Sequence, residues 1–305
     1  MNPERNKLYA GAAIGLVLAA LAGFGVARMT GPSAPTAETE AAASAAPTDT
    51  VVIAQDDIKT SGIGLAQAAA GGVAGIILAP TRQGLESAAR TTADFPMVLI
   101  DRSAKGIAHD SVVLDNETMA ALLVEHLHAQ GFTRIAGLFG ATSSTGVERR
   151  LGFEQAAARL GIEAEAIAVP HGPGEAARSV SALLSRPVRP QALVASNGVM
   201  LMAVLRAVRA LGLAVPEDIA LTGFDQEDWM EFVAGGLSVI QQPVEEIGRT
   251  AMAMLFDRML HPDAPARKVV LAGRLRIGGS SGPAITVAPP FHDLTLPSPK
   301  GDHTA

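Results

Sequence analysis

"VASNGVMLMAVLRAVRALGLAVPEDIALTGFD" (residues 194–225) holds a complete structural sentence. It starts in a short apolar run, "ALVAS" (192–196), of the length and burial expected of an interior strand. "VMLMAVLRAVRALG" (199–212) follows with apolar residues at helical spacing, and Asn197 stands where a helix cap is wanted. "EDIALTGFD" (217–225) is then a second strand. Strand, helix, strand with no room for a hairpin predicts two parallel neighbours joined by a crossover helix.

The same alternation continues in both directions. Upstream lie strands at "GIILAP" (75–80), "FPMVLID" (95–101), "RIAGLFG" (134–140) and "AEAIAVP" (164–170). Helices are predicted over 116–131, with Asn116 capping and Gly131 just past the end, and over 146–161, ending at Gly161, with a third over 174–185. Downstream come strands at "LSVIQQ" (237–242) and "RKVVLAGRLRI" (267–277), with a helix over 244–260 between them. The pattern predicts an α/β protein of parallel sheets covered by helices. Ligands then bind at the loops after strand C-termini, here beginning at Asp101, Gly140, Pro170, Ser196 and Asp225.

Composition supports a large aliphatic core: hydrophobic residues make up 48% of 305, mean hydropathy is +0.27, and Trp229 and Tyr9 are the lone residues of their kinds. A net charge of −6 argues against the whole chain being a nucleic-acid binder. With no cysteine, disulfides, thiolate metal sites and cysteine nucleophiles are excluded.

The beginning of the chain is different. "LYAGAAIGLVLAALAGFGVA" (8–27) carries no charge and is long enough for a transmembrane helix. Arg5 and Lys7 precede it, which predicts a single-pass anchor with the N-terminus inside; a cleaved signal peptide is the competing reading. Residues 29–72 are expected to form a flexible tether with one short strand at 50–54, and residues 283–305, Pro-rich and aperiodic, a disordered tail.

Two resemblances emerge. "VLIDR" (98–102), "VVLDNETMAALLVEHLHAQGFTRIAGLFG" (112–140), "ERRLGFEQAAARLGI" (148–162), the opening stretch, "LSVIQQPVEEIGRTA" (237–251) and "LRIGGSS" (275–281) occur in one order. Together, over residues 73–282, they resemble the effector-binding core of LacI/GalR-type transcription regulators. That implies a periplasmic-binding-protein-like core of two α/β lobes joined by three crossing strands, the second lobe spanning about 115–240 plus 271–282. Residues 1–70 resemble the N-terminus of an RND-type efflux adaptor: membrane segment, low-complexity tether, short strand, then "SGI" (61–63).

The LacI/GalR resemblance implies a small-molecule effector, sugar or purine-like, held between the lobes, and a homodimer. Asp101 would reach in from the first lobe and Arg149, three residues before Gly152, from the second. Asn197 and Asp225 would complete a polar ring, Gln242 lies at a lobe crossing, and Trp229 could stack on a sugar face. Each has an ordinary structural role open to it as well. Asp101, Asn197 and Asp225 can cap the next turn or helix, Arg149 can sit solvated beside Arg150, and Trp229 can pack in a loop.

Other signals are weaker. His126 and His128 point to different sides of a helix, so no metal site is expected there. "GGSSG" (278–282) matches a hydrolase string around Ser280 but has no helix after it and is expected to be coil. No cofactor and no enzymatic activity are expected.

The chain also departs from the LacI/GalR pattern. No helix-turn-helix is seen, so DNA binding is not expected from this chain alone. Two strand–helix units are missing before "GIILAP", which predicts an incomplete first lobe and an exposed edge on that strand. Gly198 replaces the usual Asp after Asn197, "HGPGE" (171–175) lacks an aromatic, and Gly278 stands where Arg is usual. "AAAGG" (68–72) therefore reads as a seam between two unrelated pieces. The leading expectation is the ligand-sensing domain of a LacI/GalR-type regulator, cytoplasmic by resemblance but carrying a membrane segment. The alternatives are a membrane-tethered periplasmic sugar-binding protein and an RND adaptor fragment.

Overall fold

The aliphatic runs assemble into two six-stranded sheets. The structure, a computed structural model, describes residues 27–29, 48–55, 73–81, 96–103, 108–170 and 174–282. The first sheet runs β1 (Ala27–Met29), β2 (Thr48–Gln55), β3 (Val73–Ala79), β4 (Met97–Ile100), β5 (Asp110–Leu114), β11 (Lys268–Leu271). The second runs β12 (Arg274–Arg276), β10 (Ser238–Gln241), β9 (Ala220–Phe224), β8 (Ala192–Ala195), β6 (Arg134–Gly140), β7 (Glu163–Val169). All neighbours are parallel except β1 on β2 and β12 on β10.

Among the described residues five helices cover the sheets: α1 (Asn116–Ala129), α2 (Ser144–Leu160), α3 (Glu175–Leu184), α4 (Gly198–Ala210) and α5 (Val244–Leu260). On one face of the second sheet, α1 and α2 bury Leu123, Leu127, Phe153 and Ala156 with Phe139 and Phe224. On the other, α3 and α4 bury Val180, Leu183, Leu201 and Val204. Helix α5 packs Ile247, Ala251 and Leu255 on Ile77, Val98, Ile100 and Val112 of the first sheet. Among the described residues the chain passes between the lobes three times: from β5 into α1, from β10 into α5, and from β11 into β12. All three passages lie at or beside strand C-termini, so the strand ends of the two sheets face a common junction.

A buried ion pair fixes the opposite end of the first sheet. Asp110, fully buried, accepts from Arg258 Nη2 at 3.0 Å and from the Arg267 backbone N–H at 2.7 Å. Arg258 also donates to the carbonyls of Pro262, Ala264 and Pro265 and so pins the α5–β11 loop.

Several expectations change. The transmembrane helix expected over residues 8–27 is overturned. Among the described residues no helix is long and apolar enough to cross a membrane, and Ala27, its expected last residue, starts strand β1. Residues 8–26 lie outside the described residues. The single-pass location falls with that helix.

The expected exposed edge on "GIILAP" is also corrected: β2 pairs in parallel with β3, with Val52 opposite Ile76 and Ile53 opposite Ile77. The strand read as an isolated 50–54 inside a tether is an eight-residue member of the sheet. The proposed seam thus lies between two paired strands, and the described part of the adaptor-like segment is built into the first sheet. Residues 68–72 themselves, and the expected tail over 283–305, lie outside the described residues.

Two local readings shift as well. Helix α1 is capped by Asp115, whose carboxylate accepts from Thr118 N at 3.1 Å, leaving Asn116 free for another task. "GGSSG" is not coil but a buried 3-10 turn, Gly279–Ser281. Ser280 Oγ donates to the Leu221 carbonyl at 2.7 Å, and Ser281 Oγ lies 2.7 Å from His126 Nε2 and 2.6 Å from Ser238 Oγ. This three-residue clasp ties the last described segment to α1 and β10.

Candidate effector-binding site

Each sheet ends a central strand in an aspartate. Asp101 follows β4 and Asp225 follows β9, and both hold positive φ, 66° and 71°. Only a few percent of non-glycine residues adopt this region, Asp and Asn more readily than others. Strain placed at equivalent points of two lobes is the kind of feature that accompanies a binding site.

Around Asp225 the partners form one chain. Its Oδ1 accepts from Gln242 Nε2 at 2.6 Å, across the lobe crossing. Its Oδ2 accepts from the Gly198 backbone N–H at 3.0 Å, at the start of α4. Next door, Asn197 caps that helix through Met200 N at 2.8 Å, as its position predicts.

Arg149 enters from α2 and is buried. Its Nε donates to Asn116 Oδ1 at 2.8 Å, and its Nη1 to the carbonyl of Ser196. The guanidinium lies over the Phe224 ring, 3.9 Å from the centroid, a cation–π contact. Asn116 in turn donates from Nδ2 to Glu148 Oε2 at 2.7 Å. The relay Glu148–Asn116–Arg149 therefore sets the guanidinium's orientation. Burial lowers the Arg149 pKa, while the carboxylates of Asp225, Asp101 and Glu148 oppose the shift. A guanidinium stays cationic regardless.

Asp101 is paired with Arg102, Oδ2 to Nε at 3.3 Å, and Arg102 also donates to the Pro80 carbonyl. Burial raises the Asp101 carboxyl above its ordinary value. Arg102 and Arg149 pull it back, and Asp225 pushes it further up. Asp101 thus has charged groups of the second lobe, Arg149 and Asp225, among its neighbours.

Of the residues singled out in the sequence, the structure links Arg149, Asn197, Asp225 and Gln242 through shared or adjacent backbone and brings Asp101 within their field. Trp229 stands apart. Its ring is partly buried against the second-lobe core, and its indole N–H donates to Glu227 Oε2 at 2.7 Å. Sequence reasoning missed Asn116, Glu148, Phe224, Arg102 and Glu227. The strand-end rule that found Asp101 and Asp225 would also have found Asn116, one residue beyond the end of β5 and its cap. Among the described residues no group of three or more His, Cys, Asp or Glu could hold a metal.

Two mainly parallel sheets joined by three crossings, with polar strand ends converging on the junction, make a two-lobed α/β core. The periplasmic binding protein-like domain family matches residues 124–281, just over half of the chain, and the chain belongs to that family. The transcriptional regulator PtxS of Pseudomonas plecoglossicida is 32% identical over 192 residues, 62% of this chain and 56% of PtxS. The transcriptional repressor CytR of Escherichia coli is 34% identical over 168 residues, 54% of this chain and 49% of CytR. Among solved structures, a protein assigned as a ribose operon repressor of Burkholderia thailandensis superposes with a TM-score of 0.64 at 30% identity. That likeness covers 72% of this chain and 83% of the other. The core is thus of the LacI/GalR effector-binding type. The chain spans about half the length of the curated relatives it matches.

Proposed function

We propose that this chain is the ligand-sensing part of a transcription regulator and that its effector is a small polyhydroxy molecule of the sugar kind. The observation that supports this most is the Asp225–Gln242–Gly198 and Arg149–Asn116–Ser196 constellation at the strand ends, with Asp101 opposite. A carboxylate accepts and a guanidinium donates paired hydrogen bonds, the chemistry that neighbouring hydroxyls need. The relative assigned as a ribose operon repressor supports the sugar class. Asp101, Arg149, Asn197, Asp225 and Gln242 are the proposed contacts, with Trp229 at the rim.

The signal would be lobe closure. A ligand bridging Asp101 and Asp225 favours the closed arrangement by its difference in affinity for the two states. Readout by DNA, and a homodimer to carry it, are proposed for the whole regulator; PtxS and CytR are of the helix-turn-helix type.

Calorimetry with a panel of pentoses, hexoses and nucleobases tests the reading. Micromolar binding by one of them, abolished by Asp225→Ala with an unchanged melting profile, is expected. Absence of heat with every sugar refutes the sugar class, and a nucleobase as sole ligand replaces it.

A further inference from the structure

Gly198 opens α4 beside Asp225, and a second carboxylate stands in front of it. A Cβ built on Gly198 would lie 3.2 Å from Glu227 Oε1 and 3.8 Å from Asp225 Oδ2. The carboxylate of Glu227 therefore stands close against the position a Cβ at 198 would take. Its other oxygen is anchored: Oε2 accepts the indole N–H of Trp229 at 2.7 Å. Glu227 is thus a held carboxylate beside Asp225, exposed on the same strand-end loop.

Around Arg149 the charged groups are Asp225, Asp101, Glu148 and Arg102, and Glu227 stands beside Asp225. Both guanidinium groups are already engaged, Arg102 with Asp101 and the Pro80 carbonyl, Arg149 with Asn116 and the Ser196 carbonyl. Glu148 is held by Asn116, and Asp225 by Gly198 and Gln242. Neighbouring like charges favour whatever supplies donors or positive charge between them. Glu227 keeps Oε1 free of any such donor among the described residues.

We propose that Glu227 is a ligand-contacting specificity residue, and that it makes the site select uncharged or amine-bearing polyhydroxy ligands over phosphorylated or carboxylated ones. This rests on the proposed effector site. Its mechanism is separate from that reading, since Asp225 can bind hydroxyls whatever residue stands at 227. Glu227 Oε1 accepts from a ligand hydroxyl or ammonium, and repels an anionic substituent placed near it.

Trp229, the one tryptophan of the chain, gives a direct readout, because its indole is bonded to the residue in question. The full chain is titrated with ribose, glucosamine and ribose 5-phosphate by calorimetry and by Trp229 emission, as wild type, Glu227→Gln and Gly198→Asp/Glu227→Ala. A solvent-exposed charge shifts a binding constant by about two- to fivefold. The wild type should favour ribose or glucosamine over ribose 5-phosphate by about fivefold, and added salt should shrink that ratio. Glu227→Gln should narrow it by about two- to fivefold and shift the emission of Trp229, and Gly198→Asp/Glu227→Ala should restore the preference. Sugar binding with a ratio unchanged in Glu227→Gln overturns this proposal and leaves the effector reading standing. Tighter binding of ribose 5-phosphate by the wild type overturns it too. No binding of any sugar overturns both.

Discussion

Gly152→Ala is the substitution that most sharply tests the packing of α1 on α2. Gly152 lies inside α2, where alanine is favoured over glycine by about 1 kcal/mol. With open space around it the variant would therefore be stabilised. The structure forbids that. An added Cβ would stand 2.0 Å from the Glu117 carbonyl oxygen and 2.7 Å from Glu117 Cα, both backbone atoms of α1. Carbon and oxygen pack no closer than about 3.3 Å, so the two helices must part by about 1.3 Å. No side-chain rotation relieves a backbone contact, which puts the cost at the upper end of overpacking, about 3 kcal/mol. The net loss is about 2 kcal/mol, or about 4–8 °C in melting temperature for a unit of this size.

The same displacement reaches the site. The Arg149 to Asn116 hydrogen bond of 2.8 Å spans this helix pair, one residue from Glu117. Effector affinity should fall at least about tenfold, since a shift of about 1 Å is enough to disable a preorganised contact. Thermal melting by circular dichroism and calorimetric titration read the two effects. A melting temperature equal to or above that of the wild type would refute the close approach of α1 and α2.

Two further outcomes come from the titrating groups. For Asp101 the folded pKa is raised, so its contribution to stability is full below 3.8 and lost as pH rises through the folded value. Asp101→Asn, which also suits positive φ, should therefore raise the melting temperature at pH 7 and gain less as pH falls toward 4, while weakening effector binding about tenfold or more. A lower melting temperature at pH 7 would contradict it. For His126, burial lowers the pKa from 6.5, so the clasp is at full strength above that pH and loses strength as pH falls through the folded value. Melting followed from pH 8 to pH 5 should decline below about 6.5. Ser281→Ala, which leaves the imidazole without its 2.7 Å partner, should cost about 1–3 kcal/mol at pH 8, and no loss there would remove the clasp from the stability argument.

The second lobe was legible because its signals are local. Strand and helix periods, the cap at Asn197 and the left-handed Gly161 can each be read within a few residues, and the structure repeats them. The first lobe was harder because strand pairing is not local. "VVIAQ" (51–55) reads as a strand, but nothing near it says that Gly75 to Ala79 will lie alongside. Hydropathy misled in the same region: Ala27 counts as the end of an apolar span and is found in a strand paired with Ile53.

The site shows the same division. Asp101 and Asp225 follow from the strand-end rule. Asn116 and Glu148 are joined across two helices, 32 residues apart, and no sequence spacing announces the link. The closeness of Glu227 to Gly198 is likewise a contact 29 residues apart that no sequence spacing announces.

The order in which the two sheets are finished has a consequence for biosynthesis. Strand β11 supplies the last edge of the first sheet, and β12 the last edge of the second. They are three residues apart in a row of the chain, Leu271 to Arg274, and the Ser281 clasp follows at once. A nascent chain that has emerged as far as Leu260 has most of both lobes and neither closing strand. It carries open edges on β5 and β10, the feature that invites pairing with other chains. Neither lobe can mature first, as domains of a growing chain ordinarily do. Both are completed together when residues 268–281 leave the ribosome, so the translation rate over this final stretch sets how long the incomplete molecule stays exposed to its neighbours.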